Sequence, residues 1–321
     1  MHTRVHYKCA LHAQINANTP MNIKRAIRKL KRDRKRFSIF RITIGVINVL
    51  LYGVFRPKYG NIVTTQDGLI IRFEYPSQFV PTLVCFKELA EPEYTFVREF
   101  LDAESIFFDV GSGIGGYSLL AAKQRSREIH SFEPVEENYR TMQMNMEANG
   151  FRNYVRLNKM AVSDESGHGL MKATDNLLGS VLDLTRESHP SNTVEVTTID
   201  TYCQANNIGR IDVLKIDTEG NELRVIRGAK NLLHRQSICV IICEIEKDLH
   251  EVHQIIHEIG FEIYLFDCIN KTLKLIDPLN ENSINHLKNT AFSNLLLIHN
   301  NTIERVKRTF PIIGSRDNTK A

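Results

Sequence analysis

Tryptophan is absent from the 321 residues, and the six cysteines (Cys9, Cys85, Cys203, Cys239, Cys243, Cys268) form no Cys-x-x-Cys pair. Scattered cysteines exclude a disulfide scaffold and a ribbon-type zinc site, and they make a reducing compartment the default. Without tryptophan, stacking on single-stranded nucleic acid would rest on tyrosine and phenylalanine alone. There is no His-Glu-x-x-His run either. His250, His253 and His257 share one helical face, but no acid or cysteine completes a metal set around them. What remains is ordinary: 42% hydrophobic and 24% charged residues, the balance of a globular chain rather than a disordered, collagenous or polytopic membrane one. The length suits one large α/β domain and an accessory segment.

Acid is scarce only locally. Residues 1–55 hold 12 Lys/Arg against the single acid Asp33, while the rest carries 29 basic and 36 acidic residues. Lys24–Arg36, KRAIRKLKRDRKR, has nine basic residues in thirteen. Such a run attracts phosphate-bearing surfaces, anionic lipid or nucleic acid, or is simply a solvated arm. Phe37–Phe55 follows, apolar apart from a few residues and about 28 Å long as a helix. Its Ser38, Arg41, Gly45, Asn48 and Tyr52 recur at spacings of three and four, a narrow polar stripe that suits a helix in the membrane interface or packed on a domain. A spanning helix would hold the basic arm in the cytoplasm and send the larger part of the chain across. A cleaved signal peptide is disfavoured, because the apolar stretch starts late and ends without a small-x-small site. The expected location is cytoplasmic, with residues 24–55 as a peripheral contact to an anionic membrane surface and a single-pass anchor as the alternative.

From about Asn61 the pattern is that of a folded domain. Residues 62–74 read as a hairpin around Asp67-Gly68. After a helix at 91–101, strand and helix patterns alternate: IFFDV and a helix from Tyr117, IHSFE and a helix over 136–149, then YVRLNKMAV at 154–162. Residues 164–200 interrupt as an inserted hairpin or irregular excursion. Alternation resumes with IDVLKID, a helix over 222–235, ICVIICEIE, a helix over 249–259, FEIYLF and NLLLIH. This predicts a parallel sheet covered on both faces. Expected units are a basic arm (1–36), an apolar helix (37–55), the α/β domain (56–300) and a loosely ordered polar tail (301–321).

The chemistry concentrates in FFDVGSGIGGYS, residues 107–118, a strand running into glycines and a helix. Gly111, Gly113 and Gly116 satisfy G-x-G-x-x-G, and Glu133 ends the next strand, as in a dinucleotide fingerprint. Asp109 argues against a dinucleotide. Its carboxylate, aimed at the loop, would repel a pyrophosphate by about 4 kcal/mol per charge pair at ~4 Å and an effective dielectric near ~20. A cofactor with a cationic end reverses that sign. S-adenosylmethionine carries an ammonium and a sulfonium and no phosphate, and Glu133 can accept from its ribose hydroxyls.

With DVGSGIG, FEPVEEN, MAVSDESG, TTID, DVLKIDTEGNE and CEIE in this order, the chain resembles the FkbM-type family of S-adenosylmethionine-dependent methyltransferases over about residues 60–270. The resemblance implies a class I methyltransferase Rossmann-like fold, α/β, with a seven-stranded, mostly parallel sheet of order 3-2-1-4-5-7-6 and its last strand antiparallel. The apolar helix and the hairpin precede it. It also implies methylation of a hydroxyl. Gly113 stands where the family commonly has Asn. Expected cofactor contacts are Asp109, Gly111, Ser112, Gly113, Gly115, Glu133, Ala161 and Asp217.

A hydroxyl nucleophile needs a base or a metal to take its proton. The strand ends offer Lys215, Asp217 and Glu219 after one strand and Glu244 and Glu246 after the next. Asp217 is expected near the cofactor, Glu219 or Glu244 near the substrate, and Lys215 between the acids, damping their repulsion. The same acids could hold a divalent cation, or merely favour a helix N-terminus. Three functions stay open: an O-methyltransferase acting on a small molecule, glycan or lipid; an RNA methyltransferase using the basic arm; and a catalytically silent cofactor-binding or membrane-interaction protein. The nine prolines are never adjacent, so no Asn-Pro-Pro-Tyr type sequence for amino groups of nucleobases occurs.

Overall fold

The computed structural model describes residues 43–44, 47, 61–73, 83, 91–173, 180–183, 193–245, 249–280 and 294–313. The basic arm and nearly all of the apolar segment 37–55 lie outside these residues. Among the described residues no helix is long and apolar enough to cross a membrane.

The hairpin forms as expected. β1 (Asn61–Thr64) and β2 (Ile70–Phe73) pair antiparallel across a turn in which Gly68 takes φ +74°. The free edge of β2 is closed by side chains from α3 (Glu136–Ala148) and its cap. Asn145 accepts from Arg72 N at 2.6 Å and donates to Arg72 O at 3.0 Å, and Asn149 does the same for Ile70 at 2.9 and 2.7 Å. Two carboxamides thus imitate a neighbouring strand and remove an edge open to further pairing.

The central sheet is built from β3 (Ile106–Val110), β4 (Glu128–Phe132), β5 (Arg156–Asn158), β10 (Ile211–Ile216), β11 (Ile238–Cys243), β12 (Phe261–Asp267) and β14 (Leu295–His299). Their spatial order is β5-β4-β3-β10-β11-β14-β12, with β14 antiparallel to both neighbours. Numbered along the chain, this is 3-2-1-4-5-7-6, the class I methyltransferase order. The sheet is wider than the seven strands expected. β13 (Thr272–Ile276) and β15 (Ile312–Ile313) extend it beyond β12.

Period-two alternation gives each strand two apolar faces. Phe107, Val213, Val240, Leu296 and Ile298 pack under α1 (Pro92–Phe100), α2 (Gly116–Lys123) and α3. Phe108, Leu214, Ile241 and Leu297 pack under α4 (Ile199–Ala205), α5 (Glu222–Arg227), α6 (Lys230–His234) and α7 (Leu249–His257). The tail expectation is corrected here. Residues 303–307 form α8 (Ile303–Lys307), and Val306 and Phe310, four apart and both fully buried, fix residues up to Ile313 to the domain.

Two other elements differ from the sequence reading. YVRLNKMAV is not one strand: after β5 the chain leaves the main sheet, and β6 (Ala161–Val162) joins β7 (Gly167–Ala173), β8 (Ser180–Asp183) and β9 (Thr193–Thr197) in a second sheet of order β6-β9-β7-β8. The helix over 222–235 breaks into α5 and α6 at Gly228, where a Cβ would stand 2.1 Å from the Ser163 carbonyl oxygen. That contact is backbone on backbone and cannot be relieved by a rotamer. Gly228→Ala is therefore expected to destabilise the protein by about 2–3 kcal/mol, the cost of overpacking a rigid contact, read as a lower midpoint in urea unfolding.

Candidate active site

The glycine loop lies between β3 and α2. Its first turn is held by Gly111 N and Ser112 N, both donating to the Phe132 carbonyl at 3.0 Å. Ser112 Oγ donates to the Asp109 carbonyl at 2.8 Å. Gly111, Gly113 and Gly115 all take positive φ, 76°, 54° and 86°. Two of them answer to packing within the protein. A Cβ on Gly111 would sit 1.8 Å from the Asp217 carbonyl oxygen, and one on Gly115 within 3 Å of Met142 and Met146. The loop is thereby pressed onto the exit of β10.

Asp109 does not aim at the loop's ligand side. It is 2% exposed, and its Oδ2 accepts from Ser118 N at 3.1 Å and Ser118 Oγ at 2.5 Å. Alternation on β3 puts it on the same face as Phe107, under α2, where the first turn of that helix supplies the donor. Burial lifts its carboxyl to about 6, against the Ser118 bond and the nearby Lys215. The argument from direct attraction by Asp109 is thus corrected: it organises the loop and adds charge from beneath.

Glu133 directly follows β4, at the strand end expected, and is 4% exposed. Its Oε2 accepts from Gly113 N at 2.8 Å and its Oε1 from Val135 N at 2.9 Å. Burial raises this carboxyl to about 7 despite those two donors. Ala161 is buried in β6, and the next carbonyl, that of Val162, accepts from Asn221 Nδ2 at 2.8 Å, which ties the second sheet to the loop after β10.

That loop, 217–221, carries Asp217 and Glu219, and Lys215 stands just before it in β10. Lys215 is 1% exposed, and its Nζ donates to Asp217 Oδ2 at 3.1 Å and to Asn294 Oδ1 at 3.3 Å. It also lies 5.3 Å from the centre of the Tyr117 ring. Burial by itself would lower this ammonium, yet Asp217, Glu91 and Asp109 hold it above the ordinary lysine range. Lys215 therefore sits among the acids as the sequence suggested, but buried and unavailable to a substrate.

Asp217 is partly exposed, its side chain at 38%. Glu219 is exposed on a positive φ of 54°, its carboxyl raised by partial burial and by Asp217 and Glu222. Glu244 follows β11 one position after Cys243, which pairs with Ile216, so Asp217 and Glu244 leave adjacent strands at the same level. The three acids do gather at one end of the sheet. Among the described residues, no three His, Cys, Asp or Glu side chains converge as a metal-binding group.

Sequence reasoning missed three acids at this end of the sheet. Glu91 precedes α1 and accepts from the Tyr117 hydroxyl at 2.6 Å. Glu93, in the first turn of α1, is fully buried and accepts from Asn294 Nδ2 at 3.3 Å. Glu222 was also unassigned: its Oε1 accepts from Thr218 N, Thr218 Oγ1 and Gly220 N at 2.9–3.1 Å and shapes the 217–221 loop. The capping pattern that T-E-G-N-E suggests is not this role, because Glu222 bonds loop residues ahead of its helix rather than the helix's own free N–H groups.

Strand order and glycine loop together define a class I methyltransferase domain. Residues 109–263, a little under half of the chain, match the model of the methyltransferase FkbM domain. Among solved structures, the chain is similar to methyltransferase FkbM from Methylobacillus flagellatus KT, with 16% identity, TM-score 0.40, 71% of this chain and 56% of that one covered. It is also similar to a SAM-dependent methyltransferase from Agrobacterium tumefaciens (9% identity, TM-score 0.39, 76% and 72% covered). A third similarity is to a Streptococcus mutans protein in complex with SAH (14%, TM-score 0.38, 66% and 99%). The chain thus spans little more than half of the Methylobacillus protein. No curated protein matches it in sequence.

Proposed function

We propose that the protein transfers a methyl group from S-adenosylmethionine to a hydroxyl on a small molecule, glycan or lipid. The observation that carries this reading is a charge imbalance at the carboxyl ends of β3 and β10. Four acids, Glu91, Glu93, Asp109 and Asp217, act on Lys215, the one buried lysine or arginine among the described residues, or on its neighbour Tyr117. Even with Glu93 protonated, as its burial favours, one ammonium does not balance Asp217, Glu91 and Asp109, so the cleft favours a ligand with positive charge and disfavours a pyrophosphate.

The bound cofactor would supply a methyl group on a sulfonium, open to in-line displacement. The chain's own work is then positioning, and a base for the acceptor hydroxyl. Glu133 suits the ribose: its Oε1 takes Val135 N and Asn138 Nδ2, while its Oε2 keeps a lone pair beyond the Gly113 donor. Asp217, the partly exposed member of the cluster, suits the ammonium. Glu219 and Glu244 are the acids left for the acceptor. The basic run and apolar segment ahead of the domain favour an acceptor met at an anionic membrane surface.

Calorimetry with S-adenosylmethionine and S-adenosylhomocysteine tests the cofactor. Both are expected to bind, and Glu133→Gln is expected to weaken binding about tenfold, the worth of one charge-assisted hydrogen bond. NADH binding with no response to either would overturn the reading. Tritiated methyl transfer into fractionated lipid, glycan, RNA and protein pools identifies the acceptor class, and label confined to RNA would sink the hydroxyl acceptor proposed.

A further inference from the structure

Glu93 is out of place for an acid. It is fully buried, its Oε1 has no hydrogen-bond partner among the described residues, and its Oε2 meets the Asn294 amide. A neutral residue would fill the same space at lower cost, since a buried carboxylate short of donors is penalised. Its surroundings join it to the cleft. Asn294, 2% exposed, donates through Nδ2 to Glu93 and accepts through Oδ1 from Lys215. That orientation is the only one in which the amide faces an ammonium with its oxygen. Lys215 then reaches Asp217 at 3.1 Å. The chain Glu93–Asn294–Lys215–Asp217 crosses α1, the residue before β14 and the end of β10, and none of its first two members belongs to the glycine loop or the 217–221 loop.

We propose that Glu93 and Asn294 are positioning residues of the cofactor cleft: Asn294 couples the buried Glu93 carboxyl to the Lys215 ammonium, and a cation bound beside Asp217 expels the proton from Glu93. This rests on reading the cleft as a site for a cationic methyl donor. When the ligand's positive charge arrives, Lys215 is shared among fewer unneutralised acids, and a negative charge at Glu93 becomes easier to hold. By linkage the ligand binds more tightly where Glu93 is already ionised. Glu93 faces Glu91, Lys215 and Tyr117, while Asp109 and Asp217 act on Lys215 from β3 and the exit of β10. Burial and Glu91 lift Glu93 to about 7, so the handover falls within the neutral range.

The test is calorimetry of S-adenosylmethionine on the full chain between pH 6 and 8, in buffers of different ionisation enthalpy. The wild type is expected to release a fraction of a proton on binding near pH 7. Glu93→Gln, which keeps shape and an acceptor for Asn294, is expected to release less and to bind several-fold more weakly than wild type at pH 8 but equally at pH 6. The ligand's own amine titrates alike in both, so it drops out of the comparison. Asn294→Ala should flatten the response in the same way, with melting by circular dichroism as the fold control. An unchanged pH response in Glu93→Gln, or one lost only in Glu133→Gln, overturns the proposal. Should the wild type bind neither S-adenosylmethionine nor its demethylated product, it is the cofactor reading that fails instead.

Discussion

Gly111→Ala is expected to remove about 3–5 kcal/mol of stability and, in whatever folded fraction remains, cofactor binding with it. Two costs combine. The residue sits at φ +76°, where a side chain costs about 1 kcal/mol or more. Its Cβ would also lie 1.8 Å from the Asp217 carbonyl oxygen, and that oxygen is backbone. Relief requires moving the β3 exit from the β10 exit, but Gly111 N is bonded to Phe132 O at 3.0 Å and Asp217 N to Val110 O at 2.9 Å. The strain therefore spreads to both loops. Gly209→Ala is the matched control: nothing lies within 4 Å of its Cβ, and a change within about 0.5 kcal/mol is expected. Urea unfolding compares the two. Equal midpoints would show that the loops do not press on each other.

Much of this site was legible in the sequence, and the rest failed for identifiable reasons. The strand, glycines and helix of residues 106–118 are local, so spacing alone places Gly111 and Glu133 at neighbouring strand ends. The alternation of β3 and β10 was equally readable, and followed through it would have put Asp109 and Lys215 on one face. They are in fact register partners there. What the sequence does not carry is which donor waits under that face; Ser118, from the first turn of α2, takes the Asp109 carboxylate away from the ligand side. Glu93 and Asn294 are 201 residues apart, and each alone looks like an ordinary acid in a helix start and an ordinary residue before a strand. Only the antiparallel return of β14 beside β11 brings them together. The second sheet was lost for the opposite reason: VRLNKMAV has unbroken strand character, and the chain changes sheets within it without a glycine or proline to mark the place.

Lys215→Met is expected to be the most pH-dependent lesion in the protein. Removing the buried Lys215 ammonium leaves Asp217, Glu91, Asp109 and Glu93 without its compensation, and breaking such a cluster costs about 3–5 kcal/mol. The loss should be fullest near pH 8. Glu93 and Glu133 stand at about 7 in the fold against 4.5 in a free chain, and Asp109 at about 6 against 3.8. A carboxyl raised in this way takes up a proton on folding. Its contribution to stability is complete below the unfolded value and disappears as pH climbs through the folded one, roughly 3 kcal/mol for a shift of that size. The wild type should already lose stability from about pH 4.5 to 7 for this reason. In Lys215→Met the acids lose the positive charge that lowers them, so Glu93 and Asp109 hold their protons to still higher pH and the falling limb moves upward. At pH 5, where both are neutral in either protein, the difference should shrink to about half of its value at pH 8. Denaturant midpoints of the two proteins across pH 5–8 decide it: parallel curves would mean that Lys215 does not screen these carboxyls, and the charge balance invoked for the cofactor would go with it.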